Sequence, residues 1–190
     1  MSVRWNKIGS CGTPVLHCAA RIVDSAGRDV VRGERGEIWL RGPSIATGYW
    51  RDPAATARAF TDGWFHTGDI AHQDADGYFY VDDRKTDVVI SGGENVYPAE
   101  LEAVLAACPA IAEAVVVGRP DPRWGEVPVA CVVLGPAAAL SRDDVLALFH
   151  DRLARYKHPR DVVFLPELPR NAMGKVQRFA LRERLESGRV

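Results

Sequence analysis

The sequence predicts an α+β chain in two parts. A β-rich stretch over the first 83 residues is followed by a compact α+β unit of about 100 residues, a size at which a domain can fold alone. Three observations carry this reading. The first part is a succession of short strand-like runs broken by turns, with few long helices, as the tail of a larger domain would be. Within residues 83–102 a charged cluster, an apolar strand, a double-glycine turn and a helix start follow one another. Further on, β-branched runs alternate with segments whose apolar residues recur at three-to-four spacing.

Arg21-Ile22-Val23-Asp24 reads as a strand entering a hairpin-like turn at Ser25-Ala26-Gly27-Arg28. Glu37-Ile38-Trp39-Leu40-Arg41 alternates polar and apolar between Gly36 and Gly42, the pattern of a half-buried strand. Asp52-Pro53 opens a short helix over 54–60, because a first turn does not use the amide that proline lacks. Asp74-Ala75-Asp76-Gly77 is a turn, and Tyr78-Phe79-Tyr80-Val81 an aromatic strand. Val88-Val89-Ile90 reads as a short buried strand. Residues 98–107 read as a helix with Leu101, Val104, Leu105 and Cys108 on one face. Stretches 114–117 and 127–134 have the β-branched composition of central strands. Ser141 followed by Asp144 forms a capping-box pattern, with Asp in place of Glu or Gln, and opens a helix carrying Val145, Leu148, Phe149, Arg152 and Leu153. There is no internal repeat.

Hydrophobic residues make up 47% of the 190 and charged residues 26%, ordinary globular usage that supports a sizeable core and argues against disorder. A formal net charge of −1 gives no bulk attraction to nucleic acid or anionic membrane, so a polyanion must be held by local clusters. Cys11, Cys18, Cys108 and Cys131 contain no Cys-x-x-Cys pair, which disfavours a metal site or disulfide framework and fits free thiols in a reducing compartment. The N-terminal residues 1–7 hold no apolar signal core. No run approaches the roughly 20 apolar residues that cross a bilayer. The expectation is a cytoplasmic protein with no membrane span and no nucleic-acid partner.

Five short motifs could carry chemistry. Thr67-Gly68-Asp69 puts a carboxylate at a glycine turn, where it could accept two hydrogen bonds from a vicinal diol or simply close the turn. Arg84 could fork onto ribose or phosphate oxygens, or pair with Asp82 or Asp83 at the surface. Gly92-Gly93 either frees backbone groups to line a narrow channel or makes a plain strand-to-helix turn. Trp124 and Tyr156 offer stacking faces, and Lys157 and Arg160 offer charge, unless the first segment is a packed turn and the second a solvated basic loop. Lys175 follows Asn171-Ala172-Met173-Gly174, a loop able to project a long side chain, although a lysine near a C-terminus often only solubilises. Phosphate-loop, dinucleotide-fingerprint, zinc-protease and serine-hydrolase motifs are all missing.

Together, Phe65-His66-Thr67-Gly68-Asp69, Asp83-Arg84-Lys85, Ser91-Gly92-Gly93-Glu94-Asn95 and Asn171-Ala172-Met173-Gly174-Lys175 resemble the nucleotide-handling end of an acyl-CoA synthetase of the adenylate-forming, AMP-binding superfamily. The resemblance covers nearly the whole chain but only the last third or so of a member. It implies that residues 1–84 are the β-rich C-terminal portion of a large domain. Residues 85–190 are then a small α+β cap domain, with a short, mainly antiparallel sheet and flanking helices, joined through a hinge near 84–87. It also implies that Asp69 and Arg84 grip the ribose of ATP or AMP, and that Gly92 and Gly93 flank the pantetheine arm of coenzyme A. Trp124, Tyr156 and Arg160 become further coenzyme A contacts. Lys175 becomes the catalytic lysine between the acid's carboxylate and the α-phosphate. Thr86 stands at the hinge position, where members usually carry Asp or Lys, and His158 stands where arginine often appears. The family's triphosphate loop, magnesium motif and acid pocket precede this segment. Mg2+ is therefore expected for the parent enzyme with its ligands outside this chain, and no metal site within it.

The implied reaction joins a small-molecule carboxylic acid, ATP and coenzyme A into acyl-CoA, AMP and pyrophosphate. The expectation is that this chain is the C-terminal portion of such a ligase and is inactive alone. One alternative is a split enzyme whose partner is a separate large-domain chain. Another is a non-catalytic module that binds coenzyme A or a carrier protein. These residues do not encode the identity of the acid.

Overall fold

The computed structural model describes residues 7–188, so the sequence reading of residues 1–6 lies outside the described residues. The chain divides into two compact units, one ending at Thr86 and the other beginning at Asp87.

The first unit contains β1 (Ala19–Val23), β2 (Gly36–Arg41), α1 (Pro53–Ala59), β3 (Phe60–Thr61), β4 (Trp64–Gln73) and β5 (Phe79–Arg84). They form one antiparallel sheet in the order β1-β2-β4-β3, with β5 also paired to β4. Its core is small: Ile22, Ile38, Ala71 and Phe79, with Ala20, Val30 and Leu40 packed against them. Asp52 caps α1 by accepting the Ala55 amide, and Pro53 occupies the first turn. Asp74 organises the β4–β5 turn. One carboxylate oxygen accepts the amides of Asp76 and Tyr78, and the other pairs with the Lys7 ammonium.

The second unit contains β6 (Val89–Ser91), β7 (Glu94–Val96), α2 (Pro98–Ala106), β8 (Ile111–Asp121), β9 (Gly125–Leu134), α3 (Arg142–Ala147), β10 (Asp161–Phe164) and α4 (Arg178–Glu186). Its sheet runs β10-β9-β6-β7 with β8 on β9, and among the described strands β10 and β9 are the parallel pair. The β8–β9 hairpin is buried on both faces, which explains its continuous β-branched composition. Leu101 and Leu105 of α2 and Val145 of α3 join Val116, Ala130 and Val132 in one core layer. Leu181 and Leu185 of α4 join Val115, Val117, Val129 and Cys131 in the other. Burial pushes the Cys131 thiol up to about 11, so it packs as a small hydrophobe and stays protonated at neutral pH.

The α+β architecture with a mainly antiparallel sheet matches expectation, and three details differ. The capping box forms, Ser141 and Asp144 each accepting the other's amide, yet α3 ends at Ala147. The amides of Leu148, Phe149 and His150 reach only three residues back, and Asp151 adopts a left-handed φ of 61°. Arg152 and Leu153 thus lie past the helix, although Phe149 still fills the core. Gly92-Gly93 makes a two-residue hairpin between β6 and β7 instead of a strand-to-helix turn. Their φ values of 61° and 87° are those of the primed turn that suits strand twist. Ile90, read as buried, is 56% exposed.

Candidate functional site

In the first unit the chemistry gathers on a β-bulge. Glu37 of β2 faces Ile70 and Trp39 faces His66, so Thr67, Gly68 and Asp69 together stand opposite Ile38. The extra residues are held by side-chain substitutes for ladder bonds. The Thr67 hydroxyl donates to the Ile38 carbonyl at 2.7 Å and accepts the Asp69 amide at 3.0 Å. Gly68 sits at φ 72° with open space where a Cβ would be, so the backbone conformation rather than crowding calls for glycine. A bulge re-aims side chains. Here Asp69 meets its register partner Arg84 on β5, whose Nε lies 2.9 Å from the Asp69 carboxylate. The sequence offered Asp82 or Asp83 as partners for the guanidinium; Asp82 is engaged by His72 and Arg35. Both members of the Asp69–Arg84 couple keep part of their surface in water.

Glu37 was not singled out from the sequence. It is 8% exposed. It accepts the Gly68 amide at 3.0 Å and the Lys85 ammonium at 3.0 Å, while the Lys85 amide donates to the Gly68 carbonyl at 2.8 Å. Burial pushes this carboxyl up, but the hydrogen-bonded Lys85 and Gly68 pull harder and hold it below the usual carboxylate range. Strict alternation along β2 assigns Glu37 to the wet face. The signal that would find it is a bulge on the neighbouring strand, which β2 does not encode.

In the second unit Gly92, Trp124 and Arg160 come together. The Gly92 amide donates to the Trp124 carbonyl at 2.8 Å, and a Cβ on Gly92 would lie 2.8 Å from the indole. The guanidinium carbons of Arg123 and Arg160 lie 4.8 and 5.4 Å from the indole centroid. Gly93 has open space around its missing Cβ and is needed for its φ alone. Tyr156 is exposed on the single 3-10 turn Arg155–Lys157 and stacks with the Lys157 ammonium, not with Trp124. Glu100 already matches the charge of Lys157 at 2.5 Å. His158 turns its Nε2 to the Leu153 carbonyl at 2.9 Å, engaged with its own backbone.

Lys175 lies on a separate loop, closed by the Arg170–Val176 bridge. The Asn171 carboxamide oxygen accepts the amides of Met173 and Lys175, and Gly174 supplies a φ of 79°. Arg170 braces the loop between the Gly174 carbonyl at 2.7 Å and Glu113 at 2.6 Å. Lysine occurs at positions 7, 85, 157 and 175 only. The first three are ion-paired. Lys175 is exposed and pairs with no carboxylate among the described residues.

Residues 100–175 match the AMP-binding enzyme C-terminal domain, and residues 1–50 match the AMP-binding enzyme family. The chain belongs to the C-terminal region of this family. It is 52% identical to the indoleacetate–CoA ligase of Aromatoleum aromaticum over 93% of this chain and 35% of that protein. Among solved structures it resembles ATP-bound MatB from Rhodopseudomonas palustris, at 40% identity and a TM-score of 0.87 over 92% of this chain and 35% of that one. It also resembles the o-succinylbenzoate CoA synthetase of Bacillus subtilis in complex with its acyl-adenylate intermediate. There the identity is 41% and the TM-score 0.84, over 93% of this chain and 36% of that one. The chain thus spans just over a third of the length of these AMP-binding relatives.

In this chain, Thr86 is flanked by two anchors, each inside its own unit. Lys85 is tied to Glu37, and Asp87 to Arg178 and Arg182 of α4 at 3.5 and 3.3 Å. No group of three or more His, Cys, Asp or Glu among the described residues is arranged to hold a metal ion. No helix among them is long and apolar enough to cross a membrane.

Proposed function

We propose that this chain is the nucleotide-gripping and thiol-presenting third of an ATP-dependent acyl-CoA ligase. The observation that carries the reading is the Asp69–Arg84 couple, a carboxylate and a guanidinium 2.9 Å apart, displayed together by a bulge in β4 beside the end of β5. Asp69 accepts hydrogen bonds from both ribose hydroxyls of ATP while Arg84 donates to the same sugar. In the first half-reaction a carboxylate oxygen of the acid attacks the α-phosphorus. The bond to the bridging oxygen breaks and pyrophosphate leaves. Lys175, with no acid of its own to neutralise, brings its ammonium to the charge that builds between the two anions. In the second half-reaction the coenzyme A sulfur attacks the acyl carbon and AMP departs with the electron pair. Gly92 and Gly93 border the pantetheine arm, and Trp124, Arg160 and Tyr156 take the nucleotide end. The boundary belongs at the hinge. Residues 1–84 finish a large domain and 85–190 form the cap, with Thr86 as the swivel between its two anchors.

The missing two-thirds of a relative's length would supply ATP-phosphate, magnesium and acid sites. Fusing this chain to the upstream region of the Aromatoleum ligase should restore pyrophosphate release with an aryl acid. Lys175→Ala in that fusion should lower adenylation at least a hundredfold, the loss expected for removing one charge-stabilising group. Thioester formation from supplied acyl-adenylate should persist. Equal loss of both half-reactions would contradict the role given to Lys175.

A split enzyme is the second reading. Ile8, Leu16 and Trp50 are more than four-fifths exposed in the first unit, which favours a covering upstream region. Mixing this chain with a separately made upstream chain should then yield pyrophosphate. Activity from the fusion but none from the mixture counts against it.

A further inference from the structure

Glu37 is the one charged side chain buried among the described residues. A carboxylate is tolerated out of water only when its acceptor positions are filled. Its two oxygens are filled from different places: the Gly68 amide inside the bulge that carries Asp69, and the Lys85 ammonium immediately after Arg84. The Lys85 amide closes the circuit onto the Gly68 carbonyl. The two residues that Glu37 holds, Gly68 and Lys85, are the chain neighbours of Asp69 and Arg84.

We infer that Glu37 is a positioning residue for nucleotide binding, clamping the 67–69 bulge to the end of β5 so that Asp69 and Arg84 face one vicinal diol. This rests on the ribose reading of those two residues. Sheet pairing alone does not require the clamp, because Glu37 already has Ile70 as its register partner. A neutral Gln would keep the Gly68 acceptor and lose the hold on Lys85. The clamp also places the hinge-side lysine on the nucleotide aspartate's own support, so release of Lys85 loosens Asp69 without touching it.

The test uses the whole chain labelled with 15N. Two reporters are read: the Arg84 Nε–H resonance, whose proton faces Asp69, and the Asp69 amide. Glu37→Gln and Lys85→Met should each move both resonances and weaken AMP binding about tenfold. The double variant should be no weaker than Glu37→Gln, and Lys85→Arg should retain the wild-type positions. Thermal midpoints should stay close to wild type. Lys85 is over half exposed, so Lys85→Met tests the clamp should Glu37→Gln fail to fold. Folded variants with both resonances unmoved, or with additive losses in affinity, would overturn the inference. If the wild-type chain fails to bind AMP, the ribose reading falls, while the resonances still judge the clamp.

Discussion

Gly92 and Gly93 look alike in the sequence and differ in the structure. Both need a left-handed backbone, but only at Gly92 would a Cβ meet the indole of Trp124, at 2.8 Å. Gly93→Ala should cost about 1 kcal/mol of backbone strain, whereas Gly92→Ala should cost about 2–3 kcal/mol and displace Trp124. Urea melts and tryptophan emission check this; equal costs would mean that the indole does not abut the turn. Lys175 makes a second residue-scale prediction. Under limiting acylation by an amine-reactive ester, it should modify fastest of the four lysines, because its amine is exposed and pairs with no carboxylate among the described residues. Peptide mass spectrometry reads the order, and faster labelling of Lys157 would contradict the geometry. Asp69, Arg84 and Lys175 were all legible as sequence motifs. Glu37 was not, because its burial depends on a bulge in a strand some thirty residues away.

At the scale of elements, motifs written in adjacent residues were readable, and those written across strands were not. The Ser141–Asp144 box is local and forms as expected; Ser141→Ala should cost about 1 kcal/mol in a urea melt. The end of α3 was misread because Phe149 occupies a core position either way, while the amides from Leu148 to His150 bond only three residues back and Asp151 then turns left-handed. β10 went unseen because its short run is stabilised by a parallel pairing with β9 thirty residues earlier. The β4–β5 turn carries a pH prediction. The Lys7 ammonium and the turn amides hold the Asp74 carboxyl down at about 2, against an ordinary value of 3.8. A depressed carboxyl stabilises the fold above its unfolded pKa. That contribution should be complete above about pH 4 and fade as the pH falls toward 2. Lys7→Met should flatten this acid limb in thermal melts across that range. An unchanged limb would mean that the pair carries no linkage.

At the scale of the whole molecule, the two-part architecture was legible because the composition changes sharply after Asp83. The division lies between Thr86 and Asp87, where Lys85 anchors to the first unit and Asp87 to α4. On the proposed reading, two short anchors on either side of Thr86 would confine backbone change to a narrow hinge, which is how a cap could serve two half-reactions with one nucleotide grip. That grip is the centre of the account. Titrating the 15N-labelled chain with AMP and with 2′,3′-dideoxy-AMP tests it most directly. AMP should shift the Asp69 amide and Arg84 Nε–H resonances and the dideoxy analogue should not, with Asp69→Asn abolishing the difference. Equal shifts from both nucleotides, or none from AMP, would contradict a ribose held by Asp69 and Arg84.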